Sequence, residues 1–479
     1  MNLHNLFIMG LALFQFYAAN AQDFTKHPVV AGYNSWSAVA ADIDQDGDQD
    51  IAGSSRMTSR VSWWENDGDE NFTLHNISAN APYAMAVCVA DLDSDGDRDV
   101  VCAAQEADAI MWWENNGEEV FTQHTLASVL SPSYIDTCDL DQDGDMDILV
   151  AACEEGSNKI AWCENLGNQQ FSVHVIRENW DHANSIHAAD MDFDGDIDVL
   201  ATASFRTSTA NGEIAWFEND GDQNFTGHTI IGNYGRPSCA VAVDIDNDQD
   251  MDVVASVCQL NQIVLFKNNG DLSFAPVIIA SDFYRPHCVF MADLDNDLDM
   301  DILGTSIDGN QIAWWENDTP GFLKHVIATS FEGATWVTAG DIDNDGDMDV
   351  LGTAQFDNEI AWWENSLITG IGESGNLSHQ QEYLHQNVPN PFSEQTCIRF
   401  FIPCDSRVSL TIFDLSGKLV KTLTSKKLTA GDHSVTWDGR CNDGTSVPAG
   451  LYTCKLKYSH HEYMMKMVKK VRKAGECFY

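Results

Sequence analysis

The chain has 479 residues, with 74 acidic against 25 basic side chains and a formal net charge of −49. That length accommodates more than one domain and a sizeable core. The charge excludes nucleic acid and anionic membrane surfaces as partners, since both need a basic face, and 10% aromatics with 14 Trp exclude a disordered acidic chain.

Charge is unevenly spread. Residues 396–479 carry 7 acidic and 14 basic side chains, a net of +7, and the preceding 395 residues carry 67 and 11, a net of −56. Such a shift marks two domains of different character. Residues 1–21 read as a secretion signal: Leu6 to Ala19 is apolar, and Ala19-Asn20-Ala21 is an A-x-A cleavage site, so the mature chain is expected to start at Gln22. The run is too short to span a bilayer, and no transmembrane segment is expected elsewhere. The 13 cysteines suggest disulfides with at least one thiol left over. Cys88 with Cys102, and Cys239 with Cys258, flank acidic loops at similar offsets and are candidate pairs.

From residue 22 to 366 one unit recurs seven times. Its mark is a nine-residue loop with Asp at positions 1, 3, 5, 7 and 9. The first copy holds Asp42, Asp44, Asp46, Asp48 and Asp50. The second holds Asp91, Asp93, Asp95, Asp97 and Asp99, and the third Asp139, Asp141, Asp143, Asp145 and Asp147. The fourth holds Asp190, Asp192, Asp194, Asp196 and Asp198, and the fifth Asp244, Asp246, Asp248, Asp250 and Asp252. The sixth holds Asp293, Asp295, Asp297, Asp299 and Asp301, and the seventh Asp341, Asp343, Asp345, Asp347 and Asp349. Carboxylates this dense repel one another unless a hard cation sits among them. Oxygens at alternate positions of a tight loop suit Ca²⁺, which takes six to eight oxygen ligands, so up to seven calcium sites are expected. An EF-hand would need Glu at position 12, where the first loop has Gly53 and the seventh Gly352. Side chains at positions 1, 3, 5 and 9 are the expected ligands, with the backbone carbonyl of position 7. Position 6 needs a sharp turn that Gly permits. Gln249 and Leu298 stand there in the fifth and sixth loops, which are therefore expected to bind more weakly or through a distorted loop.

Around each loop lie four short apolar runs separated by turn residues, too short for helices and rich in Val, Ile and aromatics, hence strands. One run ends in Trp-Trp-Glu-Asn, as at Trp63–Asn66, Trp112–Asn115, Trp314–Asn317 and Trp362–Asn365; the fifth repeat diverges to Phe266-Lys267-Asn268. The next carries F-x-x-H, as at Phe72/His75 and Phe322/His325. Adjacent strand residues point to opposite faces, so paired tryptophans require both faces to be covered, as in a β-propeller blade. The chain opens on an unpartnered F-x-x-H strand, Phe24–His27, and the last Trp-Trp-Glu-Asn lacks one. Pairing the two would close a seven-bladed ring without open edges. Residues 367–386 read as a linker. From 387 onward short alternating runs at Cys397–Ile402, Val408–Phe413, Ser434–Trp437 and Leu451–Lys457 indicate a small Ig-like β-sandwich. The fold expected is all-β.

The D-x-D-x-D-G-D-x-D loops at intervals of about fifty residues resemble FG-GAP/VCBS repeats, which implies a calcium-binding, integrin-alpha-like seven-bladed propeller whose loops brace the blades. Asn387-Val388-Pro389-Asn390-Pro391-Phe392, Val435-Thr436-Trp437-Asp438-Gly439 and Pro448-Ala449-Gly450-Leu451-Tyr452 resemble the type A C-terminal sorting domain of the type IX secretion system. That implies export by this machinery and a location outside the cell or at the outer face of the outer membrane.

The segments before each inner strand should lie on the face opposite the Asp loops, and they vary. Trp36, Tyr83, Tyr134, His182, His187, Arg236, Arg285, His287 and Trp336 are there. Aromatics beside Arg and His suit a glycan or an acidic group, or they plug the channel. The recurrent F-x-x-H histidines read as structural. No nucleophile motif or open metal position is apparent, so the expected function is binding or adhesion toward a carbohydrate or protein ligand. The alternative is an extracellular polysaccharide lyase or hydrolase, with Arg285 neutralising a uronate and His287 moving a proton.

Overall fold

The computed structural model describes residues 23–153, 158–204, 212–297, 299–318 and 321–366. In the C-terminal part it describes Phe392, 395–402, 406–414, 418–429, 431–441, 445–448, 450–458 and 461–470. The expected signal, the linker and Leu298 lie outside the described residues. The chain divides into two compact units, Met1–Gly372 and Glu373–Tyr479.

The first unit contains seven four-stranded antiparallel sheets. The first blade runs outward from β2 (Ser35–Ala41) through β3 (Asp50–Ser55) and β4 (Arg60–Asn66) to β5 (Phe72–Ser78). The seventh takes its outermost strand from the start of the chain: β1 (Asp23–Ala31) pairs with Glu359–Ser366, setting His27 opposite Trp362. Inner strands pack edge to edge around the ring, and β2 meets Ala334–Gly340 to close it. Buried hydroxyls tie neighbouring inner strands, as Ser37 Oγ donates to Met85 O (2.9 Å) and Thr335 Oγ1 to Trp36 O (3.2 Å).

Both faces of each blade are covered, and both tryptophans of β4, Trp63 and Trp64, are about 1% exposed. In the first, sixth and seventh blades the second Trp leaves no space at its neighbour on the preceding strand, which is glycine. A Cβ on Gly53 would stand 2.9 Å from the Trp64 ring, and one on Gly304 or Gly352 3.0 Å from Trp315 or Trp363. Where the third blade replaces this Trp with Cys163, the glycine position holds Val150. In that blade the volume lost on one strand is regained on the next, in keeping with close packing, whereas the second blade fits Cys102 beside an intact Trp113.

The expected cysteine pairs do not form, and all four thiols are free. Cys88 pairs with Val101 and Val87 with Cys102, so the one-residue offset sends the two thiols to opposite faces. Cys239 likewise stands opposite Ser256 and not Cys258. Among the described residues no helix is long and apolar enough to cross a membrane.

The second unit has a two-stranded sheet, Thr396–Ile402 with Gly431–Trp437. Its four-stranded sheet is ordered Leu419–Leu428, Ser406–Asp414, Gly450–Tyr458, His461–Lys469. One core joins Phe392, Ile398, Leu410, Trp437 and Tyr452. Lys469 is buried within it, its ammonium donating to Gly439 O (3.0 Å), Val447 O (2.8 Å) and Ser446 Oγ (3.0 Å). Gly439 has φ 63°, and a Cβ there would approach that ammonium to 3.0 Å, so the turn demands glycine twice over.

Candidate functional site

Each Asp loop joins an inner strand to the next strand outward, so all seven lie at one rim. The ninth Asp is the loop's anchor. Asp50 is fully buried. Its Oδ2 accepts from Ile43 N (2.9 Å) and its Oδ1 from Asn66 N (2.8 Å). Burial raises its carboxyl to about 7, against those two hydrogen bonds. Positions 3 and 5 turn the chain, Asp44 Oδ1 accepting from Asp46 N (3.2 Å) and Asp46 Oδ1 from Asp48 N (3.0 Å).

The remaining oxygens point inward. The Oδ1 atoms of Asp42, Asp91, Asp139 and Asp341, all at position 1, are buried without a hydrogen-bond partner. Carboxylate oxygens of Asp42, Asp44 and Asp50 lie within 4.8 Å of one another, as do those of Asp91, Asp93 and Asp99, and of Asp139, Asp141 and Asp147. In the fourth loop Asp190, Asp192 and Asp194 converge in the same way. Orphaned, convergent anionic oxygens of this kind fit a hard divalent cation. Positions 1, 3, 5 and 9 are the side chains that would hold it.

Position 7 links blades. Gln45 Nε2 donates to Asp97 Oδ1 (3.2 Å), Ser94 Oγ to Asp145 (3.1 Å), and Asn344 Nδ2 to Asp48 (2.7 Å) across the ring closure. The Asn ending each Trp-Trp-Glu-Asn run adds a second tie. Asn66 Nδ2 donates to Ile342 O (3.0 Å) and Asn165 Nδ2 to Leu92 O (2.8 Å), each in the preceding blade's loop.

The F-x-x-H histidines are structural in form. His75 stacks on Trp63 with ring centroids 4.6 Å apart, and its Nε2 meets Glu65 at 2.7 Å. His27, His124, His174, His228 and His325 repeat the arrangement. The glutamate also faces the loop: burial raises the Asp44 carboxyl, and the nearby Asp46, Asp42 and Glu65 charges add to it.

Gln249, the residue behind the weaker binding expected at the fifth loop, is accommodated in the turn. Gln249 adopts φ 69° and its N–H donates to Asp244 Oδ2 (3.0 Å), as Gly96 N–H does to Asp91 Oδ2 (3.0 Å). The turn therefore survives, at a cost of about 1 kcal/mol for a non-glycine in this region.

The variable residues lie at the opposite rim and inside the channel. Tyr83, His182, Arg236 and Arg285 occupy one turn position, each with φ between 50° and 61°. The carbonyls of Tyr83, His182, Arg236 and Arg285 accept from Gln105, Ser204, Cys258 and Ile307 N–H. Tyr134 and Trp336, from the third and seventh blades, meet with ring centroids 5.0 Å apart and help fill the channel. His187 Nδ1 lies 3.3 Å from Asp136. Arg285 is exposed and pairs with Asp308 at 3.3 Å.

Trp36, Tyr83 and His287 are brought together by a residue that sequence reasoning passed over. The Arg56 guanidinium lies 4.4 Å from the Trp36 ring centroid and 4.2 Å from that of Tyr83, and donates to the Tyr83 hydroxyl. Its Nε is buried without a hydrogen-bond partner. The His287 ring meets Trp36 edge-on at 5.5 Å. His287 Nδ1–H donates to Thr335 O (2.9 Å), since a carbonyl only accepts. Burial holds its pKa down at about 4, with Arg285 and Arg56 pushing the same way against that hydrogen bond.

Fold and rim together define a seven-bladed propeller carrying one acidic loop per blade, with carboxylates converging as a metal would need in the first four. The FG-GAP-like repeat model matches residues 42–102, 91–150, 139–201, 203–255 and 299–352, more than half of the chain. The chain belongs to the FG-GAP-like repeat family. An FlgD Ig-like domain matches residues 404–462. Over 58 residues the chain is 45% identical to the basal-body rod modification protein FlgD of Salmonella typhimurium, covering 12% of this chain and 25% of that protein. Over 54 residues it is 43% identical to the Escherichia coli K12 protein, covering 11% and 23%. The chain thus spans about a quarter of the length of these curated relatives. Among solved structures it is similar to PorZ, a surface component of the type IX secretion system of Porphyromonas gingivalis, at 12% identity and a TM-score of 0.46, covering 88% of this chain and 58% of that one.

Proposed function

We propose that the mature protein is an extracellular or cell-surface binding module: a calcium-braced propeller, residues 22–366, that takes a carbohydrate ligand at the rim opposite its Asp loops. The observation that carries this reading is the Arg56 guanidinium held between Trp36 and Tyr83 with an unpartnered Nε. Aromatic faces stack on sugar rings, and a guanidinium donates a fork of N–H bonds to carboxylate or sulfate oxygens. The chain's net charge of −49 repels anions at long range, so it is the local Arg56 cation that favours an anionic glycan over a neutral one. The loop carboxylates supply the ligands calcium prefers, oxygen donors in number.

A glycan array with the calcium-loaded protein tests the ligand reading. Anionic glycans should bind, and Arg56→Ala or Trp36→Ala should weaken binding at least tenfold without unfolding the protein. Binding that neither substitution changes would refute the assignment. His287, whose pKa burial holds down at about 4, is the group the enzymatic alternative would use as its base. Cleavage of a bound polysaccharide that disappears in Arg285→Ala would favour the lyase or hydrolase reading instead.

For export, residues 1–21 serve as signal peptide, 367–386 as linker and 387–479 as a type IX sorting domain. Support comes from the motifs around Asn387, Trp437 and Pro448 on a β-sandwich. Deleting 387–479 should leave the protein in the periplasm of a type IX-competent host. Unchanged export would count against this route.

A further inference from the structure

The fifth blade replaces three residues that the other six share. Leu265 stands where the Trp of the stack would be, and Val277 opposite it where the His would be. Lys267 takes the place of the glutamate. Its ammonium pairs with Asp246 and lies 3.8 Å from Asp248 Oδ2. These are positions 3 and 5 of the fifth loop, two of the carboxylates proposed to hold a cation in the other loops. A second difference lies at the anchor. In six loops Oδ2 of the ninth Asp accepts from the N–H of position 2, at 2.8–3.0 Å. Asp252 Oδ2 is buried without that bond. The Asn tie is reduced as well: Asn268 Nδ2 keeps the bond within its own blade, to Met251 O (3.2 Å), but among the described residues it lacks the second bond to the preceding blade's loop that the other six make.

We infer that the fifth loop takes no divalent cation, and that Lys267 is its permanent counter-ion. The ammonium is tethered to the strand beside the loop, so its local concentration does not fall when calcium does. It also occupies the space between positions 3 and 5, which a metal would have to reclaim. Its charge is single and its geometry undemanding, which suits a loop whose anchor is already incomplete. The inference rests on the calcium reading of the other loops.

The test counts bound calcium in the metal-saturated mature protein after gel filtration, for wild type and Lys267→Glu. Glutamate is the residue six other blades carry there. Lys267→Glu should bind one more calcium per chain than wild type. Equal counts in two folded proteins would overturn the role of Lys267. No calcium in either would sink the calcium reading itself, and with it the contrast that gives Lys267 its role. A crystal structure of wild type loaded with terbium gives a check that needs no variant. Anomalous peaks should mark the first four loops and the seventh, and a peak in the fifth loop would overturn the inference.

Discussion

The two rims of the propeller are built from the same blades and follow different rules. At the loop rim nearly every polar atom repeats: the ninth Asp, the Asn tie and the position 7 links recur with the blades. At the opposite rim only the backbone repeats. Asn34, Tyr83, Ser131, His182, Arg236, Arg285 and Gly333 share one positive-φ turn, yet their side chains have nothing in common. A turn that asks only for a backbone conformation leaves its side chain free to vary. On the proposed reading the difference separates a brace from a recognition surface, with the brace relaxed at the fifth blade.

The largest effect should come from breaking the repeated rim at its anchor. Asp50→Ala leaves two buried N–H groups unpaired, at roughly 1–3 kcal/mol each. Asp252→Ala removes one such bond, so it should cost about half as much in urea unfolding. Equal losses would erase the distinction between the fifth loop and the others.

A smaller effect sharpens the other rim. The folded pKa of His287 lies near 4, below its ordinary value of 6.5. A depressed group of this kind contributes stability above pH 6.5 that is lost as pH falls toward 4, because the unfolded chain binds the proton first. His287→Asn can keep the hydrogen bond to Thr335 O without titrating. The stability of wild type relative to this variant should therefore fall between pH 6.5 and 4. A difference independent of pH would mean that His287 is not held neutral.

Much of this was legible in the sequence. The strand runs, the seven loops and ring closure through Phe24–His27 were written as short-range periodicity, which needs no knowledge of packing. The paired tryptophans told that both blade faces are buried. Long-range pairings escaped. Arg56 looked like one loop residue after β3, and only folding brings Trp36 and Tyr83 to either side of it. Lys267 read as a degenerate Trp-Trp-Glu-Asn, and its partner Asp246 lies 21 residues away. Gln249 was read as weakening the fifth site, and the structure shows how the turn accommodates it: the loop's own hydrogen bonds hold it at positive φ. In the C-terminal unit Leu419–Leu428 was missed because its lysines and threonines hide the alternation of an edge strand.

The central claim is that the Asp loops are a calcium brace. Thermal unfolding of the mature protein, in millimolar calcium and in excess chelator at the same ionic strength, tests it most directly. Binding only to the folded state stabilises by mass action, about 2.7 kcal/mol per site at a hundredfold excess over Kd. Removal also leaves clustered carboxylates to repel one another. The account predicts a large fall in Tm on chelation, restored by adding calcium back. An unchanged Tm would contradict it.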